Sequence, residues 1–329
     1  MGVFHLMGLG RSPGVIVGPL SYLAHRYSRW DEEDQQLFAY SGETEHRESG
    51  KKVGDVQGIV IFSTVEIING KGGGGKPFYS FEYKKNQPGK VGGKNYPGGD
   101  MQSIIGKTLK GKACREVFGN RDKVSVFWCH INRYDVAETY DRIIQTIASL
   151  SSVGRQGKEV WINLTGGTNP VNFALQLAAT LSGCGARLYY VQAQGTDALK
   201  CVHFTSEEDY WLELPILPLD LSVLNQQILA LLEKGDKSLI ELYQHLCNTP
   251  TVLEAMRAYN LEAFRKEVLA PMWKRTLIIG NQDSYSVGPQ WDTIRPYAEK
   301  WLEAKAQATS IEELAKRKDW IDHKYLEFS

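Results

Sequence analysis

The tightest constraint on this chain is a junction that occurs twice: an apolar strand runs into a short glycine-bearing loop, and the loop runs into a helix. Val3–Leu9 is a short apolar run of strand type that leads into the tight turn Gly8–Gly14. Val15, Leu20, Leu23 and Tyr27 then recur at roughly helical spacing. The second junction is Val160–Leu164, then Thr165-Gly166-Gly167-Thr168-Asn169, then a helix opening at Pro170, where proline is favoured in a first turn. Glycine lets a backbone approach a neighbour or a ligand closely, and a helix amino end offers unpaired N–H groups and a positive dipole end. Both loops therefore suit phosphate. A purely structural strand-to-helix turn accounts equally well for the first loop taken alone.

Around these junctions the chain alternates. Gly58–Ile68 is rich in β-branched residues, Val124–Ile131 and Ala186–Gln192 read as further strands, and Asp135–Leu150 and Pro170–Leu181 read as helices. Strands separated by single helices imply a parallel sheet with right-handed crossovers, an α/β Rossmann-like fold. In such a sheet a ligand sits outside the carboxyl ends of the strands. Candidate ligand-facing residues are Gly10, Ser12, Pro13 and Gly14 in the first loop and Thr165, Gly166, Gly167, Thr168 and Asn169 in the second. Arg11 adds a fixed cationic fork and Ser12 a hydroxyl.

A length of 329 residues predicts about two domains. Leu214-Pro215-Ile216-Leu217-Pro218 reads as the boundary, giving domains at 1–214 and 215–329. Asn69–Gly99 holds ten glycines and six lysines and reads as an insertion, with a ribbon at Phe78–Tyr83. Cys201–Thr205 and Tyr210–Leu214 read as a closing hairpin. Beyond the boundary, helices at Ser222–Glu233, Ser238–Cys247, Thr251–Ala258 and Leu261–Lys274 precede a hairpin, Thr276–Ile279 with Tyr285–Val287. That is the order of a winged helix-turn-helix. Pro289–Ala306 and Ile311–Trp320 read as C-terminal helices.

Several function classes recede on composition. No apolar run approaches the ~18 residues that cross a bilayer, and the amino-terminal stretch lacks the marks of a signal peptide, so a cytoplasmic protein is expected. Five cysteines without a C-x-x-C pair read as reduced thiols, and the histidines lack metal-ligand spacing, so no metal site or cofactor is expected. Gly70–Pro77 nearly matches a P-loop but carries Pro77 where a hydroxyl should meet magnesium. From Pro215 to Ser329 there are 14 Lys/Arg and 16 Asp/Glu, a net of minus two, which disfavours DNA as a partner.

GLGRSPG after the first strand, with VWINLTGGTNPVNFAL, resembles the CARF domain, the CRISPR-associated Rossmann fold, over roughly Met1–Thr205. The resemblance implies a homodimer that binds a cyclic oligoadenylate, tetra- or hexa-adenylate, across its two-fold axis in type III CRISPR antiviral signalling. With a winged helix following, it implies either a ring nuclease, which degrades this messenger without metal, or a ligand-responsive transcriptional regulator or sensor without catalysis. In the ring nucleases a serine of the first loop and a lysine of the second are associated with cleavage. Ser12 matches the first; Asn169 stands at the second position, leaving Arg11 as the nearby cation of the motifs. Arg317 and His323 fall within the R-x4–6-H spacing of HEPN ribonucleases, a third reading, although a solvated helix end explains them more simply.

Overall fold

A computed structural model describes residues 3–10, 12–29, 32, 56–69, 82–83, 91–92, 101–119, 121–151, 158–192, 211–216, 222–280 and 284–328. The chain forms two compact units: Met1–Ile216 with Glu303–Ser329, and Leu217–Leu302.

The first unit is a seven-stranded sheet. Its strands are β1 (Val3–Gly8), β2 (Val56–Ser63), β3 (Lys123–His130), β4 (Glu159–Asn163), β5 (Gly185–Val191), β6 (Trp211–Leu214) and β9 (Ile321–Glu327). They lie in the order β9-β3-β2-β1-β4-β5-β6. β1 pairs in parallel with both β2 and β4, β3 joins β2 in parallel, and β5 joins β4 in parallel. The two edges, β9 on β3 and β6 on β5, are antiparallel. The fold is thus α/β and Rossmann-like, as the alternation predicts.

Both faces of the sheet are covered, which is why β1 is apolar apart from His5 and is buried throughout. Helices α1 (Gly14–Arg29) and α2 (Met101–Leu109) bury Ile16, Leu20, Leu23, Ile105 and Leu109 in one core cluster with Met7, Ile59, Ile61, Trp161 and Tyr189. The helices α3 (Val136–Ser151) and α4 (Asn169–Ser182) bury the rows Ile143, Ile144, Ile147 and Ala174, Leu175, Ala178. α4 stops at Gly183, whose φ of 62° is the left-handed cap that glycine adopts without strain.

Two sequence expectations differ from the structure. The second domain does not run from 215 to 329, because the chain from Glu303 belongs to the first unit. Ile311–Trp320 is helical only as α9 (Ile311–Arg317), and the chain then becomes strand β9, paired with β3 from Ile321↔Cys129 to Glu327↔Lys123. The physical reason is tertiary: β3 would otherwise be an open sheet edge, and β9 satisfies its N–H and C=O groups. Trp211–Leu214 pairs antiparallel with β5, and Cys201–Thr205, the other half of the expected hairpin, lies outside the described residues. In the insertion, Glu82–Tyr83 pairs with Val91–Gly92, while Phe78–Phe81 and the P-loop-like Gly70–Pro77 lie outside the described residues.

The second unit has the winged helix-turn-helix order: α5 (Val223–Leu232), α6 (Leu239–Cys247), the single turn Leu253–Met256, α7 (261–274), then the hairpin of β7 (Ile278–Gly280) and β8 (Tyr285–Val287), and α8 (Pro289–Ala306). A bridge between Lys237 and Tyr285 adds the short first strand of that motif. Ser238 and Glu241 form a capping box at the start of α6. α7 has a π-helical stretch, Phe264–Leu269, directly before Pro271, which has no N–H to continue an α-helical ladder. Among the described residues no helix is long and apolar enough to cross a membrane.

Candidate ligand site

The strand order β3-β2-β1-β4-β5 reverses direction between β1 and β4. In an open parallel sheet this reversal opens a crevice at the carboxyl edge, because the crossovers on either side leave to opposite faces. The two loops singled out in the sequence follow β1 and β4, so both sit at the switch point.

They also touch. A Cβ built on Gly8 would lie 2.9 Å from the Gly167 Cα and 3.0 Å from the Gly166 carbonyl oxygen. A Cβ on Gly166 would lie 2.3 Å from Val15 Cγ2, at the first turn of α1. Gly167 has a φ of 92°. Glycine at 8, 166 and 167 is therefore what allows one loop to rest on the other. Gly10 is different: nothing comes closer to its Cβ position than the Gly167 carbonyl oxygen at 3.8 Å.

Hydrogen bonds fix each loop to a neighbouring strand. The Leu9 N–H donates to Phe62 O at 2.9 Å, and the Ser63 hydroxyl donates to Leu9 O at 2.7 Å. On the other side Leu164 N–H donates to Tyr189 O, the Asn163 side chain accepts from Thr165 N–H at 2.7 Å, and Thr165 Oγ1 accepts from Val191 N–H at 2.8 Å. Thr165 thus splices its loop to the end of β5, using one acceptor site of its hydroxyl. Asn172, on the first turn of α4, donates from its amide to Leu164 O at 3.2 Å.

What remains unused is informative. Ser12 Oγ, Thr168 Oγ1 and Asn172 Oδ1 are buried and have no hydrogen-bond partner among the described residues. Buried polar atoms are almost always paired, so three orphans at one crevice mark a place where a partner is missing. Thr168 occupies the N-cap position of α4, yet its side chain makes no capping bond. The amide end of α4 is left open, which suits an anion. Pro13 and Gly14, at the end of the first loop, are buried, and Asn169 is exposed at the start of α4. Arg11 lies outside the described residues.

Behind the loops is a buried polar row that the sequence reading missed. His5 Nδ1 lies 2.6 Å from the Tyr189 hydroxyl, and Asn163, whose Oδ1 accepts from Thr165 N–H, is buried beside them. All three residues are fully buried. Burial takes the His5 imidazole down to about 3, so it is neutral near pH 7, and burial pushes the Tyr189 phenol up. Tyr189 stacks on Trp211 at 4.1 Å between ring centroids. The row joins β1, β4 and β5 just below the ends that carry the site. A lone histidine in an otherwise apolar strand was its only sequence signal.

The carboxyl edge also carries a cation outside the two motifs. Arg133, in the turn after β3, acts on Glu66, in the turn after β2. The Glu66 carboxyl is held below its usual range first by the bond from its own N–H, then by the Thr64 hydroxyl, and then by Arg133. Arg317 and His323 lie on different elements. Arg317 is ion-paired to Glu313 at 3.0 Å on α9, whereas His323 lies in strand β9 with its ring stacked 4.3 Å from Phe127.

No family model matches the chain. It is 28% identical over 197 residues to an uncharacterized protein of Archaeoglobus fulgidus, a match covering 58% of this chain. The aligned part spans 57% of that relative's length, so the likeness extends over little more than half of either protein.

Proposed function

We propose that the crevice between β1 and β4 binds a cyclic oligoadenylate, with two copies of the chain enclosing one ring, and that bound ligand is cleaved slowly without metal. The observation that carries the reading is the set of three partnerless buried polar atoms, on Ser12, Thr168 and Asn172, at a Rossmann switch point beside the uncapped end of α4. A phosphodiester supplies the missing chemistry: anionic oxygens that accept from Ser12, Thr168 and helix N–H groups, and a ribose hydroxyl that can donate to Asn172. A two-fold assembly doubles each loop around a symmetric ring. The family resemblance ties such a ligand to type III CRISPR signalling.

Cleavage in this reading is an internal transfer. The ribose 2′-oxygen attacks the adjacent phosphorus, the bond to the 5′-oxygen breaks, and a 2′,3′-cyclic phosphate and a 5′-hydroxyl form. The protein must align attack and stabilise charge on the phosphoryl oxygens. Ser12 and the α4 N–H groups face that charge, and Arg11 supplies the cation of the first loop. Asn169, in place of a lysine, leaves less charge stabilised; loss of one such interaction costs roughly 3 kcal/mol, about a hundredfold in rate. Products should therefore accumulate over many minutes, with EDTA present, when the protein is incubated with cyclic tetra- or hexa-adenylate and the mixture is chromatographed. Ser12→Ala should slow product formation more than it weakens binding. A ring left intact by saturating protein would reduce the reading to a sensor.

One observation favours a regulator as the second reading. The unit Leu217–Leu302 keeps the winged-helix order with its Lys237–Tyr285 bridge, and α7 carries Arg265, Lys266 and Lys274. A gel shift on DNA flanking the protein's own gene that the ligand modulates would raise this reading above the enzyme.

A further inference from the structure

The turn after β3, residues 131–135, is rigid and yet presents a bare aromatic ring. Ile131 N–H donates to Ser63 O at 2.9 Å, Tyr134 N–H to the Asn132 side chain at 3.1 Å, and Asp135 N–H to Asn132 O at 3.0 Å. The Thr139 hydroxyl donates to Asn132 O at 3.1 Å, and Asp135 caps α3 by accepting from Glu138 N–H at 2.9 Å. In this fixed frame Tyr134 is 81% exposed, the most exposed large side chain of apolar character among the described residues. Arg133 lies over its ring, with the guanidinium carbon 4.6 Å from the centroid, and also donates to its hydroxyl.

Fixing the backbone beneath an aromatic ring that stays in water gives up conformational freedom, with Arg133 as a contact of the ring. That combination characterises binding anchors, in which a rigid ring and an arginine wait for a partner. Tyr134 follows the carboxyl end of β3, and the end of β3 lies two strands from the end of β1, about 10 Å at ~4.8 Å per strand. A phosphate-linked chain of nucleotides seated on the two loops spans that distance within one or two units. Arg133 matches a phosphate and the face of Tyr134 matches a base.

We propose that Tyr134 and Arg133 form a base-stacking subsite, taking one adenine of the oligonucleotide whose phosphates occupy the β1 and β4 loops. This rests on the proposed ligand and adds the residues that read its bases rather than its charge. Every base has a π-face, so stacking serves where hydrogen-bonding groups are few, and an arginine packed on the ring strengthens it.

The test is calorimetry of the full chain and of Tyr134→Ala, Tyr134→Phe and Arg133→Ala with cyclic tetra- and hexa-adenylate, and with tripolyphosphate as a probe that has no base. The site of change is exposed, so unfolding temperatures should stay at the wild-type value. Tyr134→Ala should weaken ring binding about 5- to 150-fold, the equivalent of about 1–3 kcal/mol. Tyr134→Phe should bind as wild type, and Tyr134→Ala should leave tripolyphosphate affinity unchanged. Ring affinity equal to wild type in Tyr134→Ala overturns the subsite and leaves the proposed function standing. A shift in oligomeric state with unchanged affinity also overturns it, in favour of a contact between copies of the chain. Failure of the wild type to bind either ring overturns the subsite and the proposed function together.

Discussion

Replacing Gly8 by alanine is the sharpest perturbation of the candidate site that needs no ligand to read out. The added methyl would meet the Gly167 Cα at 2.9 Å, the Gly166 carbonyl oxygen at 3.0 Å and Val171 Cγ1 at 3.1 Å. Ordinary carbon contacts are ~3.5–4.0 Å, and two of these three neighbours are backbone. The loops must therefore separate by about 0.5–1 Å. Overpacking of this kind costs about 1–3 kcal/mol, which lowers the unfolding temperature of a unit this size by roughly 2–12 °C. The same separation spreads Ser12 and Thr168, so affinity for any phosphate ligand should fall about tenfold or more. Gly10→Ala is the control: its nearest neighbours are at 3.8 and 3.9 Å, and stability should stay within about 0.5 kcal/mol of wild type. Thermal and urea unfolding of both variants decides it. If Gly8→Ala unfolds with the wild type, the two loops are not in contact as described and the site loses its frame.

Three further outcomes follow from the same geometry. Because Thr168 Oγ1 has no partner, Thr168→Ala should leave urea unfolding unchanged while weakening ligand binding by about 1–2 kcal/mol; a stability loss without an affinity loss would assign the hydroxyl to the fold instead. His5 is neutral when folded, with a pKa of about 3, and titrates near its usual 6.5 when unfolded, so as pH falls from about 6.5 to about 3 it removes roughly 1.4 kcal/mol of stability per pH unit. His5→Phe should flatten that part of the stability–pH curve, and an identical slope in the variant would show that the imidazole is not the buried group responsible. Ending the chain before Ile321 strips β9 from β3 and should give an aggregating or unfolded first unit, whereas a soluble monomer with unchanged far-UV circular dichroism would contradict the role given to that strand.

The sheet and the site differ in how much of them could be read in advance. β1, β3 and β4 were visible because they are largely buried on both faces and so are rich in Val, Ile, Phe and Trp, while β5 shows only the short apolar stretch Leu188–Val191. The two loops were visible because close approach admits only glycine at 8, 166 and 167. β9 was not visible: Ile321-Asp322-His323-Lys324-Tyr325-Leu326-Glu327 is half charged or polar, and only its ladder to β3 makes it a strand. Tertiary context overrides such weak local preference. The helical stretch 101–118 was missed because it follows the glycine-rich insertion that masks the start of the pattern. Thr165 Oγ1 also accepts from Val191 N–H at the end of the adjacent strand, and a partner on another strand leaves no trace in spacing. Asn172 and Arg133 were invisible for the same reason, since their roles come from which strand ends the topology brings to one edge.

The central claim is that the crevice between β1 and β4 is a site for a cyclic oligoadenylate. Isothermal titration of the full-length wild type with cyclic tetra-adenylate and with cyclic hexa-adenylate, both with EDTA present, tests it most directly. The account predicts saturable binding of at least one ring, at one ring per two chains, abolished or strongly weakened by Gly8→Ala. Absence of heat with both rings at protein concentrations that keep the wild type folded would contradict it.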